Sequence, residues 1–181
     1  MRFLDRYASP DDMPERIPVF PLSGALLLPR IDLPLNIFEN RYLEMFDDAL
    51  SGNRIVGMIQ PRDGDIAPAP KLADVGCAGR VTSFSETPDG RLLISLTGIS
   101  RFRVAAESKV RKPYRVIKAD YAPFAIDFVA ATGDMMVNRS SVLKAFRDYL
   151  EANSMTTNWE DVESISTEQL VNTLSLMAPY P

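Results

Sequence analysis

The residue types that most often carry catalysis are nearly absent from this chain of 181 residues. It contains no histidine, which excludes serine–histidine and cysteine–histidine nucleophile pairs, histidine general bases and histidine-bound zinc or haem. Its one cysteine, Cys77, can form neither an intrachain disulfide nor a thiolate zinc cluster. No basic residue stands just before Cys77 to favour its thiolate, so we interpret it as a packing residue.

Phosphate-binding and metal-binding motifs are also missing. The chain has neither a Walker A motif nor the glycine fingerprint of dinucleotide-binding folds. The sequence Gly76-Cys77-Ala78-Gly79 lacks a lysine and leads into a strand, which predicts a structural turn. Asp63 and Asp65 flank a glycine, but the full EF-hand pattern is absent, which favours a solvated turn over a calcium site. Composition alone does not exclude a catalytic serine–lysine dyad, because both residue types are present, but no serine stands in a nucleophile motif. We therefore expect no catalytic residue, cofactor or metal ion.

Residues 101–118 form a basic strip in a chain whose formal net charge is -4. It has seven basic residues and one acid: Arg101, Arg103, Lys109, Arg111, Lys112, Arg115 and Lys118, with Glu107. Strand alternation places Arg101 and Arg103 on one face and Phe102 on the other. The strip is either a contact surface for phosphates or acidic protein segments, or a solvated face balanced by the acidic residues of 147–181.

The segment Leu26-Leu27-Leu28-Pro29 is the main candidate for binding polypeptide. Successive side chains of an extended segment point to opposite sides, so the three leucines cannot all face inward. An apolar patch at the surface commonly marks an interaction site, and a proline-containing loop leaves backbone groups able to pair with an extended peptide. The alternative is that the loop bends and packs all three leucines.

The first part of the chain predicts a strand, a helix and a second strand. Ile17–Leu22 is an apolar run with prolines, typical of an edge strand or of the first strand of a sheet, and residues 23–34 contain too many breakers for a helix. A helix is expected to open at Asn36, with Glu39 completing a capping box. A second strand is expected over 55–59.

An apolar stripe on this first helix is expected to face a barrel, because Phe38, Tyr42 and Phe46 recur at helical spacing. The proline-containing connection 61–72 has few large apolar side chains, which predicts more mobility than in the strands that it joins.

Beyond residue 74 the hydrophobic period becomes two. It predicts a strand over 81–84, a turn at Thr87-Pro88-Asp89-Gly90 and a return strand over 92–96. Gly98 is expected to break this strand at a bulge or corner, Phe102 and Val104 alternate on the next strand, and a last strand is expected over 114–121. Short strands with one helix predict a barrel-like sheet.

Helical spacing dominates after about residue 124. It predicts a helix over 142–150 and two further helices, which begin at capping boxes of Thr157 with Glu160 and Ser166 with Gln169. The expected organisation is a loose N-terminal tail over 1–15, a barrel over 16–123 and a small helical subdomain over 124–181.

Two segments, 17–50 and 74–104, together resemble the LON domain, the N-terminal substrate-recognition domain of the ATP-dependent Lon protease. The matching motifs are FPL, LLP, LNIFE-x-RY, G-x-x-GRV, ETPDGR and GISRFRV, in the family's order. The IFE-x-RY form is most similar to the stand-alone bacterial branch. The resemblance implies an α+β fold: a PUA-like pseudo-barrel of about six short strands with one helix, followed by helices. It also implies a further helix after residue 181, so we expect the C-terminus to be shortened.

The ATPase and protease modules of Lon have no counterpart in this sequence, which predicts that the chain is not an enzyme. The first functional hypothesis is a polypeptide-binding module whose partners are unfolded or exposed apolar segments, together with a protease. The alternative is an RNA-binding module that uses the basic strip, as PUA folds do, although the acidic composition makes nucleic acid the less favoured partner. No apolar run approaches membrane-spanning length and the N-terminus is charged, so we expect a cytoplasmic protein without membrane contact.

Overall fold

The computed structural model describes residues 6–62, 70–132 and 134–177 of a chain that folds as two compact units, divided between Phe128 and Val129. The first unit contains β1 (Arg16–Pro21), β2 (Asp32–Ile37), α1 (Asn40–Ser51), β3 (Ile55–Ile59), β4 (Val75–Glu86), β5 (Leu92–Ser108) and β6 (Arg115–Asp120). The second contains α2 (Arg139–Ala152), α3 (Trp159–Ser164) and α4 (Thr167–Met177). Short 3-10 segments lie at Pro10–Asp12, Ala122–Phe128 and Asp134–Met136. The predicted α+β class, with six strands and one helix before a helical part, is confirmed.

The sheet closes on itself because β5 is long enough to have two neighbours along one side. The strand order is β2-β5-β4-β3-β1-β6, and β6 pairs back onto β5. The first part of β5 pairs with β2 and its last part with β6, so β2 extends the sheet beyond the closed barrel. Of the two alternatives predicted for this run, an edge position is wrong, because β1 lies between β3 and β6, and β1 is instead the first strand of the sheet along the chain. The edge strand is β2, which begins inside the predicted loop 23–34 and carries Pro34 where no further strand needs an N–H.

A bulge in β5 bends the barrel where the sequence predicted one. Ala78 pairs with Ser100 and Gly79 with Gly98, so Ile99 is the extra residue. The predicted turn at 76–79 is wrong, since these residues belong to β4. Gly76 is required there by packing, because a Cβ atom would lie 2.5 Å from the Phe102 ring.

Two apolar clusters stabilise the first unit. One contains Ile17, Phe102 and Ile117, and the other joins α1 to β1 and the β2 extension. In the second, the Phe20 ring contacts those of Tyr42 and Phe46 at centroid distances of 4.3 and 6.2 Å. The predicted inward orientation is confirmed for Tyr42 and Phe46.

The predicted inward orientation is wrong for Phe38, whose side chain is 67% exposed. The reason is that α1 begins at Asn40, so Phe38 precedes the helix and does not share its apolar face. Asn36 belongs to β2 and cannot cap the helix; the N-cap residue is Glu39, without a side-chain capping bond.

The described part of the predicted loose tail is partly folded. Met13 is buried in the same cluster as Phe102, and Asp12 accepts hydrogen bonds from the backbone N–H groups of Ala8 and Ser9. Residues 63–69, which include Asp63 and Asp65, lie outside the described residues, so the predictions made for them are untested. At the described ends of this connection, the Arg62 N–H donates to Lys71 O over 2.7 Å.

The two predicted capping boxes of the second unit had different outcomes: the cap of α3 lies one residue after the predicted one, and the cap of α4 is the predicted residue. Asn158, not Thr157, caps α3, because its side chain accepts from the Glu160 N–H. Ser166 and Gln169 form the reciprocal capping box that was predicted. None of the helices in the described ranges is long and apolar enough to cross a membrane.

Candidate functional site

The Leu26–Pro29 loop is seated directly on the β5 bulge. The Arg30 N–H donates to Gly98 O and the Gly98 N–H donates to Ile31 O, each over 2.9 Å. A Cβ atom on Gly98 would lie 2.0 Å from Leu28 O, so only glycine allows the loop backbone to come this close. The bulge therefore fixes the position of the leucine loop.

The three leucines of this loop have different environments. Leu27 is buried in the core next to Gly79, Leu28 is partly buried, and Leu26 is 45% exposed. Pro29 is buried. The expectation that at least one leucine lies at the surface is confirmed, whereas a role for the loop in binding stays a prediction.

A cavity of about 110 Å³ opens beside the exposed leucine. Its walls come from the loop, from the end of β3 and from the start of β4. They include the side chains of Leu26, Leu28, Met58, Val75, Cys77 and Arg101. Leu26 and Val75 are both exposed at this cavity, which gives it an apolar border. An apolar protein cavity of about 150 Å³ accommodates benzene, so this one suits a single aliphatic side chain.

A buried carboxylate fixes the one charged residue of the cavity wall. Asp127, which is 7% exposed, accepts hydrogen bonds from Arg101 Nε over 2.9 Å and from Arg101 Nη2 over 2.7 Å. Its Oδ2 also accepts from the Arg101 backbone N–H, and its backbone oxygen accepts from Arg30 Nη1. The 3-10 segment that contains Asp127 thus belongs to the barrel unit, although the sequence placed it at the start of the helical part.

Cys77 contributes a neutral thiol to the cavity. Burial raises the pKa of the Cys77 thiol far above its usual value, and the negative charge of Asp127 raises it further. The side chain is nearly inaccessible, as the interpretation of Cys77 as a packing residue requires. A protonated, buried thiol is a poor nucleophile.

Most of the predicted basic strip is neutralised locally. Four of its members form ion pairs with carboxylates: Arg101 with Asp127, Lys112 with Asp48, Arg115 with Glu107 and Lys118 with Glu15. Only Glu107 lies within ten positions of its partner; the other three ion pairs join residues that are far apart in the sequence, and none of these four acids belongs to residues 147–181. Arg103, Lys109 and Arg111 are exposed and have no ion pair among the described residues.

A wider groove lies on the outer face of the β2 extension. It has a volume of about 490 Å³, and its wall combines small polar side chains with exposed apolar ones, among them Phe84 and Leu93, which are 54% and 45% exposed. Sequence alternation missed it because Leu93 stands between two buried residues of β5, Leu92 and Ile94. Within the described ranges, no group of three or more acidic or cysteine side chains is placed to hold a metal ion.

Residues 16–180 match the family model of the substrate-binding domain of the ATP-dependent protease La (LON). The chain belongs to the LON substrate-binding domain family. It is 34% identical over 97 residues to Lon protease of Desulfosudis oleivorans, covering 51% of this chain and 12% of that protein. It is 26% identical to Lon protease of Dictyoglomus thermophilum, covering 80% of this chain and 19% of that protein.

A solved structure of the N-terminal domain of Mycobacterium avium complex Lon protease has the same fold. The TM-score is 0.64 over 92% of this chain and 84% of that chain, with 15% sequence identity. The LON domain described here therefore spans less than a fifth of the length of the two Lon proteases compared. Its match lies in the substrate-binding domain, so the resemblance noted from the sequence motifs is confirmed.

Proposed function

We propose that this LON domain is a non-catalytic recognition module that binds exposed apolar segments of unfolded polypeptides at the cavity beside Leu26–Pro29. The observation that carries the proposal is an open apolar cavity with Leu26 and Val75 exposed at its border. Exposed apolar groups next to a cavity bind an aliphatic side chain with little cost of rearrangement. The family's substrate-binding role supports the same assignment.

Two walls of the cavity are held in place by contacts within the barrel unit. The loop is held by the close contact at Gly98, and Arg101 is held by Asp127. One small cavity buries little surface, so the affinity for a polypeptide should be on the order of micromolar or weaker. A protease that acts on the bound polypeptide is the expected partner, and the cytoplasm is the expected location.

The absence of catalysis is also part of this proposal. The chain has no histidine, and the pKa of its only thiol is raised by burial. A bound polypeptide would therefore meet apolar side chains, the Gln60 amide and the Arg101 guanidinium of the cavity wall rather than an activated nucleophile.

The alternative of RNA binding has less support than polypeptide binding. Four of the seven basic residues in the strip are already ion-paired, which leaves three without an ion pair among the described residues. A protein cation that neutralises a phosphate releases counterions condensed on the nucleic acid, and a cation already paired with a carboxylate adds less to this gain. A labelled single-stranded RNA should therefore bind more weakly than an unfolded protein at about 150 mM salt.

The proposal is tested by fluorescence-anisotropy titration of a labelled, permanently unfolded protein. Leu26→Ser should weaken binding, whereas Leu93→Ser is a matched control because both leucines are 45% exposed and Leu93 lies in the other groove. Circular dichroism checks that both variants keep the fold. Absence of saturable binding to the unaltered chain would refute the function, and loss of binding only in Leu93→Ser would move the site to the wider groove.

A further inference from the structure

The guanidinium of Arg101 keeps unused hydrogen-bond donors at the edge of the cavity. A guanidinium has five N–H donors, and Asp127 uses one at Nε and one at Nη2. The other three have no acceptor among the described residues. The side chain is 44% exposed, so these donors are within reach of a ligand.

This guanidinium is held in one orientation before any ligand arrives. Two parallel bonds to Asp127 fix its plane, and the Phe124 ring lies 4.8 Å from its central carbon. Arg30 donates to the backbone oxygen of Asp127 and so adds a second positive charge beside this residue. Two arginines and one aspartate leave a formal charge of about +1 beside an apolar cavity whose wall has no acidic residue.

We infer that the site prefers the free C-terminus of a polypeptide that ends in an aliphatic residue. The last side chain enters the cavity, and the terminal carboxylate accepts hydrogen bonds from the unused donors of Arg101. This inference rests on the proposed function, because it names the kind of polypeptide segment that the same cavity binds.

The short distance from the cavity to Arg101 is the reason for choosing a terminus over an internal acidic residue. At a C-terminus the carboxylate and the aliphatic side chain share one Cα atom, so both reach adjacent parts of a small site. In an extended internal segment, neighbouring side chains point to opposite sides, and the next side chain on the same side is about 6.6 Å away. Charge-assisted hydrogen bonds to a fixed arginine also favour a carboxylate over a neutral carbonyl.

The test compares short fluorescein-labelled glycine–serine peptides on the unaltered chain. One ends in leucine with a free carboxylate, the second in leucine amide, and the third in serine with a free carboxylate. A fourth has an internal Leu-Asp pair and an amidated end. The leucine acid should bind best, and the leucine amide about tenfold more weakly, as expected for a lost charge-assisted hydrogen bond. Raising the salt concentration from about 50 to 500 mM should reduce that difference.

Arg101→Gln tests the same contact from the side of the protein, with Arg103→Gln as control. Arg103 lies two positions along the same strand, is exposed and is absent from the cavity wall. Arg101→Gln should remove the preference for the acid over the amide, and Arg103→Gln should keep it. If Arg101→Gln fails to fold because Asp127 loses its partner, the comparison of peptides on the unaltered chain still decides the inference.

The outcomes separate this inference from the proposed function. Equal binding of the leucine acid and the leucine amide would overturn the preference for a C-terminus and leave the polypeptide site intact. Equal binding of the internal Leu-Asp peptide and the leucine acid would overturn it as well. Failure of every peptide and of the unfolded protein to bind would overturn the proposed function itself.

Discussion

Replacing Phe46 by alanine should destabilise the barrel unit by about 3–5 kcal/mol, as other Phe→Ala changes in cores do. The Phe46 side chain is fully buried, packs against the Phe20 ring edge-on and lies on the apolar face of α1. The loss includes the transfer free energy of the ring, the cavity left behind and the aromatic pair, which alone contributes about 1 kcal/mol. Phe38→Ala is the matched control, because a 67% exposed ring should change stability by no more than about 0.5 kcal/mol.

Urea denaturation followed by far-UV circular dichroism measures both variants. At a typical slope of about 2 kcal/mol per molar, a loss of 4 kcal/mol lowers the urea midpoint by about 2 M. The only tryptophan, Trp159, lies in the second unit, so its fluorescence reports separately on that unit. A loss below about 1 kcal/mol for Phe46→Ala, or equal losses for the two variants, would refute the assigned orientation of α1.

Gly98→Ala should weaken polypeptide binding in the anisotropy titration and lower stability by about 1–3 kcal/mol, because its Cβ would overlap Leu28 O; unchanged binding would mean that the loop need not sit on the bulge. Burial first, and the bond to Asp48 second, raise the pKa of Tyr114 to about 12, so the folded state holds this proton longer than the unfolded state. The free energy of unfolding should therefore fall as pH rises from 10 to 12, and urea melts of Tyr114→Phe should show a smaller fall. The same pH dependence in Tyr114→Phe as in the unaltered chain would contradict this. The purified chain should neither hydrolyse ATP nor cleave casein. Either activity would contradict a non-catalytic role if it co-purified with the protein at constant specific activity. Limited proteolysis should begin within 61–72 or the N-terminal segment, and first cuts inside 92–104 would oppose this.

Local patterns in the sequence were sufficient for the types of most elements. Alternating residues of β5, the helical spacing of Tyr42 and Phe46 and the capping box at Ser166 each involve neighbours within a few positions. Their geometry is governed by backbone periodicity, so a single sequence contains the information. The order of the family motifs is likewise contained in a single sequence, and it supported the family assignment.

The ends of elements were less predictable from the sequence. Where one residue fits both a helix cap and a strand, the pairing of strands in the folded protein decides between the two. Asn36 has the side chain of a helix cap, but in the structure it pairs with Leu93 as part of β2. The strand extends the β5 ladder and buries Leu35 and Ile37 in the core, and this gain exceeds that of one capping bond. Similarly, Gly76 and Gly79 indicated a turn, whereas the close approach of Phe102 and Leu27 explains both glycines.

For function, the sequence by itself determined that histidine chemistry is absent and that a leucine of the Leu26–Pro29 loop lies at the surface. Composition decides the first, because a chain without histidine cannot perform histidine chemistry in any fold, and the period of an extended segment decides the second. Only the tertiary structure decided which leucine is exposed and which residues complete the cavity. It also paired Arg101 with Asp127, which lies 26 positions away and is brought to β5 by the 3-10 segment after β6. No local pattern specifies such a pair, because the two charges meet only once the barrel has closed.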